Sequence, residues 1–254
     1  MSSYAQKAVF GSHNNEITRV VQSQLAATVI TNGLIQNLDA SNSSSYGGSG
    51  SIWTDVVGAN NGTIVGGNFT TSGGVSYFNF PTASVASYVS APLTKSNSMT
   101  FNVWAKVNST TTLECMLFNA GFAGVGPDLF FSGGGIYWNI WDGGSTPFKD
   151  AGNYSVNSSI VNNTNWHNYT VVVDAVANNA KLYFDGVWKG SSTYRSPTAN
   201  TLLYIGSAGL NSSLGNDASL NLIGGISIFQ SYNRALNATE VTTNYNALKS
   251  RFGY

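Results

Sequence analysis

The residue types best suited to ligand chemistry are concentrated in Gly133-Gly134-Gly135-Ile136-Tyr137-Trp138-Asn139-Ile140-Trp141-Asp142-Gly143-Gly144. Side chains along a strand alternate between faces. Ile136, Trp138 and Ile140 therefore share one face, and Tyr137, Asn139 and Trp141 the other. The first set has the composition of a core. The second, with Asp142 at its end, sets aromatic planes beside an amide and a carboxylate, which suits the apolar face and hydroxyls of a sugar. Tyr and Trp are also enriched where proteins meet. Sugar binding, a subunit contact and ordinary packing all stand as readings of this strip.

Other reactive groups are sparse. The single cysteine, Cys115, lies in the strand-like run Leu113-Glu114-Cys115-Met116-Leu117 and reads as an inert core thiol. A catalytic thiol needs a base, and the two histidines, His13 and His167, are distant in sequence. So few soft ligands also argue against zinc. His167, flanked by strand residues and without an acidic neighbour, reads as a surface or partly buried imidazole. Glycoside hydrolysis requires two carboxylates roughly 5 to 10 Å apart. No two of the eleven acidic residues lie within five positions of each other, so the reading is non-enzymatic.

The surface chemistry is polar without being charged. Hydrophobic residues make up 42% of the chain and charged residues only 9%, which excludes intrinsic disorder. Eleven Lys and Arg are cancelled by eleven Asp and Glu and form no run that could neutralise several phosphates, which argues against nucleic acid. No run of eighteen apolar residues exists, so no membrane-spanning helix is expected. The segment from Met1 to Lys7 lacks the apolar centre of a secretory signal. Release by another route, such as lysis, or prior removal of a signal, is the expectation.

The elements that must position these residues read as all-β. Strand patterns run over Leu34–Leu38, Ser76–Phe80, Tyr88–Ser90, Met99–Val107, Leu113–Asn119, Leu129–Phe131 and Ile136–Trp141. They continue over Trp166–Asp174, Lys181–Phe184, Val187–Lys189, Leu202–Ile205 and Gly225–Phe229, separated by Gly, Asn and Ser as in a sandwich or jelly roll. Asp185-Gly186 is a two-residue hairpin turn that sets Phe184 opposite Val187 and Tyr183 opposite Trp188. Asn178-Asn179 marks the turn before it. Asn237, with Glu240 three residues on, predicts a capped C-terminal helix with Val241, Tyr245, Leu248 and Phe252 on one face and Gly253 at its end. Residues 1–32 differ. Ile17, Val20, Val21, Leu25 and Val29 make an apolar stripe at helical spacing, but β-branched residues weaken the helix, so a short helix and an extended arm both remain open. That stripe must dock on the main domain or on another chain.

Several segments, in order, resemble the laminin-G-like (concanavalin A-like) jelly-roll family. They are Gly33 to Ala40; Trp53-Thr54-Asp55 with Gly58 and Asn60-Asn61-Gly62-Thr63; and Ser98 to Val107 around Trp104. The remainder are Trp166 to Val171, Leu182 to Val187, and Tyr232-Asn233-Arg234-Ala235-Leu236 with Glu240 and Asn244-Tyr245-Asn246. The resemblance covers residues 33–254 and implies two antiparallel sheets packed face to face, with 1–32 as a separate arm and a C-terminal helix. The ending Asn244 to Gly253 resembles versions found in virion proteins of tailed bacteriophages.

That resemblance implies a structural protein of the virion surface, assembled in the host cytoplasm and released by lysis. It would decorate a capsid or associate with a tail, with the arm as an anchor on capsid or tail subunits and a trimer favoured by symmetry. Its lectin-like domain would contact host polysaccharide. The alternative is a carbohydrate-binding module or adhesin domain of a bacterial surface protein, with a glycoside hydrolase third. Trp53, Trp104 and Trp166 occupy family core or loop positions. Related domains often hold calcium through an early Asp, matched here by Asp55. The late acidic position is lost in Gly225-Ile226-Ser227-Ile228, so Asp55 reads alternatively as a loop cap. No other cofactor is implied.

Overall fold

The computed structural model describes residues 28–81, 87–108, 115–120, 126–132, 135–141, 152–155, 165–193, 202–207 and 221–254. In chain order the strands are β1 (Leu34–Asp39), β2 (Ile52–Trp53), β3 (Gly62–Val65), β4 (Asn68–Ser72), β5 (Val75–Phe80) and β6 (Tyr88–Pro92). Next come β7 (Met99–Val107), β8 (Cys115–Asn119), β9 (Gly126–Ser132), β10 (Gly135–Trp141) and β11 (Gly152–Ser155). The last are β12 (His167–Asp174), β13 (Asn179–Phe184), β14 (Val187–Thr193), β15 (Leu202–Ile205) and β16 (Gly224–Tyr232), followed by helix α1 (Ala238–Leu248) and a 3-10 turn, Lys249–Phe252.

The strands form two antiparallel sheets, the two-sheet sandwich with a C-terminal helix that the sequence predicts. The first sheet runs β14-β13-β12-β7-β16-β5-β4 and the second β11-β10-β9-β8-β15-β6-β3-β2. Strand β16 serves two partners in turn. Its start pairs with β5, and after a register shift between Ile226 and Ile228 its remainder pairs with β1. Ser227 sits at that irregularity, where its hydroxyl donates to the Ser76 carbonyl and its own carbonyl accepts the Ala40 N–H.

The core lies between the sheets and is built by alternation. Phe101, Val103, Ala105 and Val107 of β7 face Leu129, Phe131, Ile136 and Trp138 of the second sheet's strands. Trp138 also ties the sheets together, because its indole Nε1 donates to Ser192 Oγ of β14 at 3.0 Å. Gly190 makes room for it: a Cβ there would lie 3.1 Å from the indole edge.

The outer face of the first sheet is covered by the C-terminal segment. Leu236 and Val241 pack with Leu34, Val172, Tyr183 and Tyr232. Farther along, Phe252, Tyr245 and Leu248 pack with Trp104 and Ile228, and Phe252 stacks on Trp104 with ring centroids 4.0 Å apart. Between these apolar clusters runs a row of polar side chains. Asn102 Oδ1 accepts from Asn168 Nδ2 (2.8 Å) and Thr170 Oγ1 (2.7 Å), Asn102 Nδ2 donates to Gln230 Oε1 (2.8 Å), and Gln230 Nε2 donates to Asn37 Oδ1 (3.2 Å). Buried amides are tolerated when their hydrogen bonds are made, and here each amide satisfies its neighbour across the strands.

Local chemistry fixes the helix ends. Asn237 and Glu240 form a reciprocal capping box. Arg234 makes a two-pronged contact with Glu240 (2.7 and 2.9 Å), which holds that carboxyl below its ordinary range. Arg251 grips both oxygens of Asp39. Asn244 donates to the Tyr232 hydroxyl, whose pKa burial pushes up to about 12, and accepts the Ile30 N–H.

The turn expectations hold: Asp185 and Gly186 have φ of 51° and 74°, Asn178 has φ of 53°, and the expected pairs across the hairpin form. Strands β2, β3, β4 and β11 were not expected from the sequence. The C-terminal helix is shorter than expected, ending at Leu248 and tightening into the 3-10 turn that Gly253 closes at φ 91°. Ile17, Val20, Val21 and Leu25 lie outside the described residues. Val29 is part-buried and residues 28–30 are not helical. Among the described residues no helix is long and apolar enough to cross a membrane.

Replacing Asn102 by Ala removes the hub of the polar row, takes the donor from Gln230 Oε1 and leaves Asn168 and Thr170 with only their longer bonds (3.4 and 3.2 Å). The expected cost is about 2–4 kcal/mol, read as a lower urea midpoint at unchanged slope.

Candidate functional site

Strand β10 divides its side chains as its alternation predicts. Ile136 and Trp138 are core residues, while Tyr137 points to the outer face of the second sheet and remains part-exposed. Register supplies what the single strand could not. Tyr137 pairs with Phe130 of β9, and the two rings stack with centroids 5.3 Å apart at 13°. Asn139 pairs with Asp128, and Trp141 with Gly126. Asp128 in turn pairs with Asn119 of β8, and Asn119 with Tyr204 of β15.

The outer face of the second sheet therefore carries a cross-strand row of Tyr204, Asn119, Asp128 and position 139, beside the Phe130–Tyr137 stack. Asn119 (2% exposed) and Asp128 (5%) are recessed although they alternate with core residues and so face outward. Of the sequence-based site residues, Tyr137 stands beside this row, Asn139 lies in it by register, and Trp141 pairs with Gly126 farther along β9. Asp142 lies outside the described residues. Phe130, Asp128, Asn119 and Tyr204 were not foreseen, because only cross-strand register brings them to Tyr137. The alternation of Asp128 and Phe130 with the core residues Leu129 and Phe131 was the available signal.

Asp55 has a different task. Its Oδ1 accepts the N–H groups of Asn37 (2.9 Å) and Val57 (3.0 Å), and its Oδ2 accepts that of Asn60 (3.1 Å). The Asp55 N–H donates to Asn61 Oδ1, and Asn60 Nδ2 donates to the Ile35 carbonyl. Three N–H dipoles thus point their positive ends at the carboxylate a cation would need. The late acidic position is occupied by Ser227, whose groups bind backbone. These residues fit a loop cap and do not fit a calcium site. Among the described residues no group of three or more His, Cys, Asp and Glu comes together.

His167 departs from the exposed or half-buried imidazole expected. It is 6% exposed, with Nδ1 2.8 Å from Asp185 Oδ2 and 3.0 Å from the Tyr254 hydroxyl. Asp185 lies eighteen residues away and is delivered by the hairpin turn. Its Oδ1 also accepts the Asn168 N–H. Burial raises the pKa of Tyr254, whose hydroxyl donates to the Trp166 carbonyl. The cluster fastens the hairpin to the end of the C-terminal segment. Trp53 and Trp104 are fully buried as expected, whereas Trp166 is part-exposed. Cys115 lies in β8, in the strand setting expected.

The family described as Concanavalin A-like lectin/glucanases superfamily matches residues 72–242. No curated protein matches the chain. Among solved structures, the binding domain of Paraclostridial Mosquitocidal Protein 1 is similar at a TM-score of 0.64 and 16% identity, over 85% of this chain and 52% of that one. The botulinum neurotoxin serotype D binding domain gives 0.63 and 14%, over 84% and 51%. A Trypanosoma rangeli sialidase gives 0.61 and 17%, over 89% of this chain and 34% of that one. The chain thus spans about half the length of the toxin binding domains it matches. At these identities the likeness is one of fold.

Removing the Asp55 carboxylate strands three backbone donors, so Asp55→Ala is expected to cost about 2–3 kcal/mol in chemical denaturation. Millimolar calcium is expected to leave the melting temperature of the unaltered protein unchanged. A rise that disappears in Asp55→Ala would identify Asp55 as a ligand after all.

Proposed function

Since the chain belongs to the concanavalin A-like lectin/glucanase superfamily, we propose that it is a non-enzymatic, lectin-like domain that binds glycans at the outer face of its second sheet. The observation that carries this reading is the part-exposed Tyr137 ring, backed by Phe130 and standing beside the recessed Asp128 and Asn119. A ring fixed from behind meets the apolar face of a sugar without losing rotamer freedom on binding. The non-enzymatic part is supported by the spacing of the acids: among the described residues no strand carries two carboxylates for a hydrolytic pair.

The setting we infer is the surface of a virus particle, with residues 1–32 anchoring the domain to capsid or tail subunits and associating as a trimer. Its support is the resemblance of Asn244 to Gly253 to virion versions of this domain. A receptor-binding module of a larger bacterial surface protein is the second reading, favoured by the two similar structures that are binding domains.

The test is a glycan array followed by calorimetric titration of the best neutral ligand. Tyr137→Ala is expected to weaken binding about tenfold or more, equivalent to about 1.4 kcal/mol, with the melting temperature preserved. Absence of any glycan ligand, or unchanged affinity in the variant, would overturn the assignment of this face. For the setting, light scattering on the full chain and on a chain lacking residues 1–32 should give a trimer and a monomer. Equal masses would remove the assembly role of the arm.

A further inference from the structure

The outer face of the first sheet is not wholly taken up by the C-terminal segment. Beyond Phe252 lie Lys106 of β7, Tyr77 and Asn79 of β5, and Trp166 at the entry to β12. Tyr77 is buried, while Lys106, Trp166 and Asn79 are part-exposed. Lys106 Nζ donates to the Tyr77 hydroxyl at 2.8 Å and lies 4.1 Å from the Tyr77 ring centroid and 5.4 Å from that of Trp166. The two rings meet edge to face at 5.1 Å, and Trp166 also contacts Phe252, with ring centroids 5.4 Å apart at 52°.

The floor of this group is bare backbone. Gly225 lies between Asn79 and Lys106 in register. A Cβ on Gly225 would come within 2.6 Å of the Tyr77 ring and 3.1 Å of the Lys106 stem. Glycine at this position is what lets ring and ammonium lie down together.

Lys106 differs from the paired arginines of this fold. Arg234 and Arg251 each hold a carboxylate. Among the described residues Lys106 forms no ion pair and is oriented instead by a phenol and two ring faces. An ammonium has three donors, and Tyr77 takes one. The others remain for an anion, beside an indole fixed in place and the part-exposed Asn79 amide.

We propose that Lys106, Trp166 and Asn79 form a second saccharide subsite, on the sheet opposite Tyr137, that selects a sugar unit bearing a carboxylate or a sulfate. The anionic group meets the ammonium, the sugar ring lies against Trp166, and Asn79 bonds a hydroxyl. From the reading above this takes only that the ligand is a saccharide, and it does not depend on the Tyr137 face. A purely structural aromatic clasp at the end of the sheet would serve stability without any preference for anions.

The experiment is titration of the full chain at low salt with tetragalacturonate, its methyl ester, and a sulfated tetrasaccharide derived from heparin. The unaltered protein is expected to bind at least one acid form and to bind the ester at least tenfold more weakly, with affinity falling as salt rises. Lys106→Met keeps the stem and removes the charge, and should weaken the acid form at least tenfold at an unchanged melting temperature. Lys106→Arg should retain binding. A preference for the carboxylated or the sulfated probe identifies the source of the charge. Failure of both acid forms to bind, equal binding of acid and ester, or undiminished binding by Lys106→Met would each overturn the subsite. An excess of the best neutral array glycan should not displace the acid probe. Displacement would place the anion at the Tyr137 face instead and overturn the proposal while leaving that face intact.

Discussion

The polar row from Thr170 through Asn102 and Gln230 to Asn37 is the constraint around which the rest of the molecule is arranged. A helix seats on a sheet by burying apolar surface, and unmet amides in that interface would oppose it. Here they lie in register on four neighbouring strands, so each meets the next. The apolar clusters on either side then receive Val241 and Leu236 at one end and Tyr245, Leu248 and Phe252 at the other. The ion pairs Arg234–Glu240 and Arg251–Asp39 hold the segment at its two extremities.

Covering the first sheet leaves only part of its outer face exposed, and on the second sheet the part-exposed outward ring is Tyr137, which stacks on the buried Phe130 beside buried polar groups. The core face of the same strands is fixed by Trp138, whose indole reaches across to Ser192. A shift of β10 by one residue would exchange the two faces. The packing that stabilises the sandwich is therefore also what presents Tyr137.

Much of this was legible in the sequence where the signal is local. The alternation in Ile136 to Trp141, the positive-φ turn at Asp185-Gly186 and the capping pair Asn237 and Glu240 each involve residues a few positions apart. Strand β7 was expected with the bounds it has, because Met99, Phe101, Val103, Ala105 and Val107 alternate along it as a core face. The losses share a cause. Strand β2 is only two residues long, and β3 and β4 are short and carry Gly62, Thr63, Asn68, Thr70 and Thr71, so nothing within them distinguishes strand from loop. The partners of Tyr137 come from β9, His167 meets an acid delivered by a turn, and Lys106 meets rings from β5 and the entry to β12. Register and sheet order decide such meetings, and neither is written in any one segment.

If the second sheet's outer face receives the glycan, hydrogen–deuterium exchange of the full chain, with and without its best neutral glycan, should show slower exchange in the amides of residues 126–141 and little change in β14 and α1. Slowing confined to other elements, or no change at saturating glycan, would contradict it.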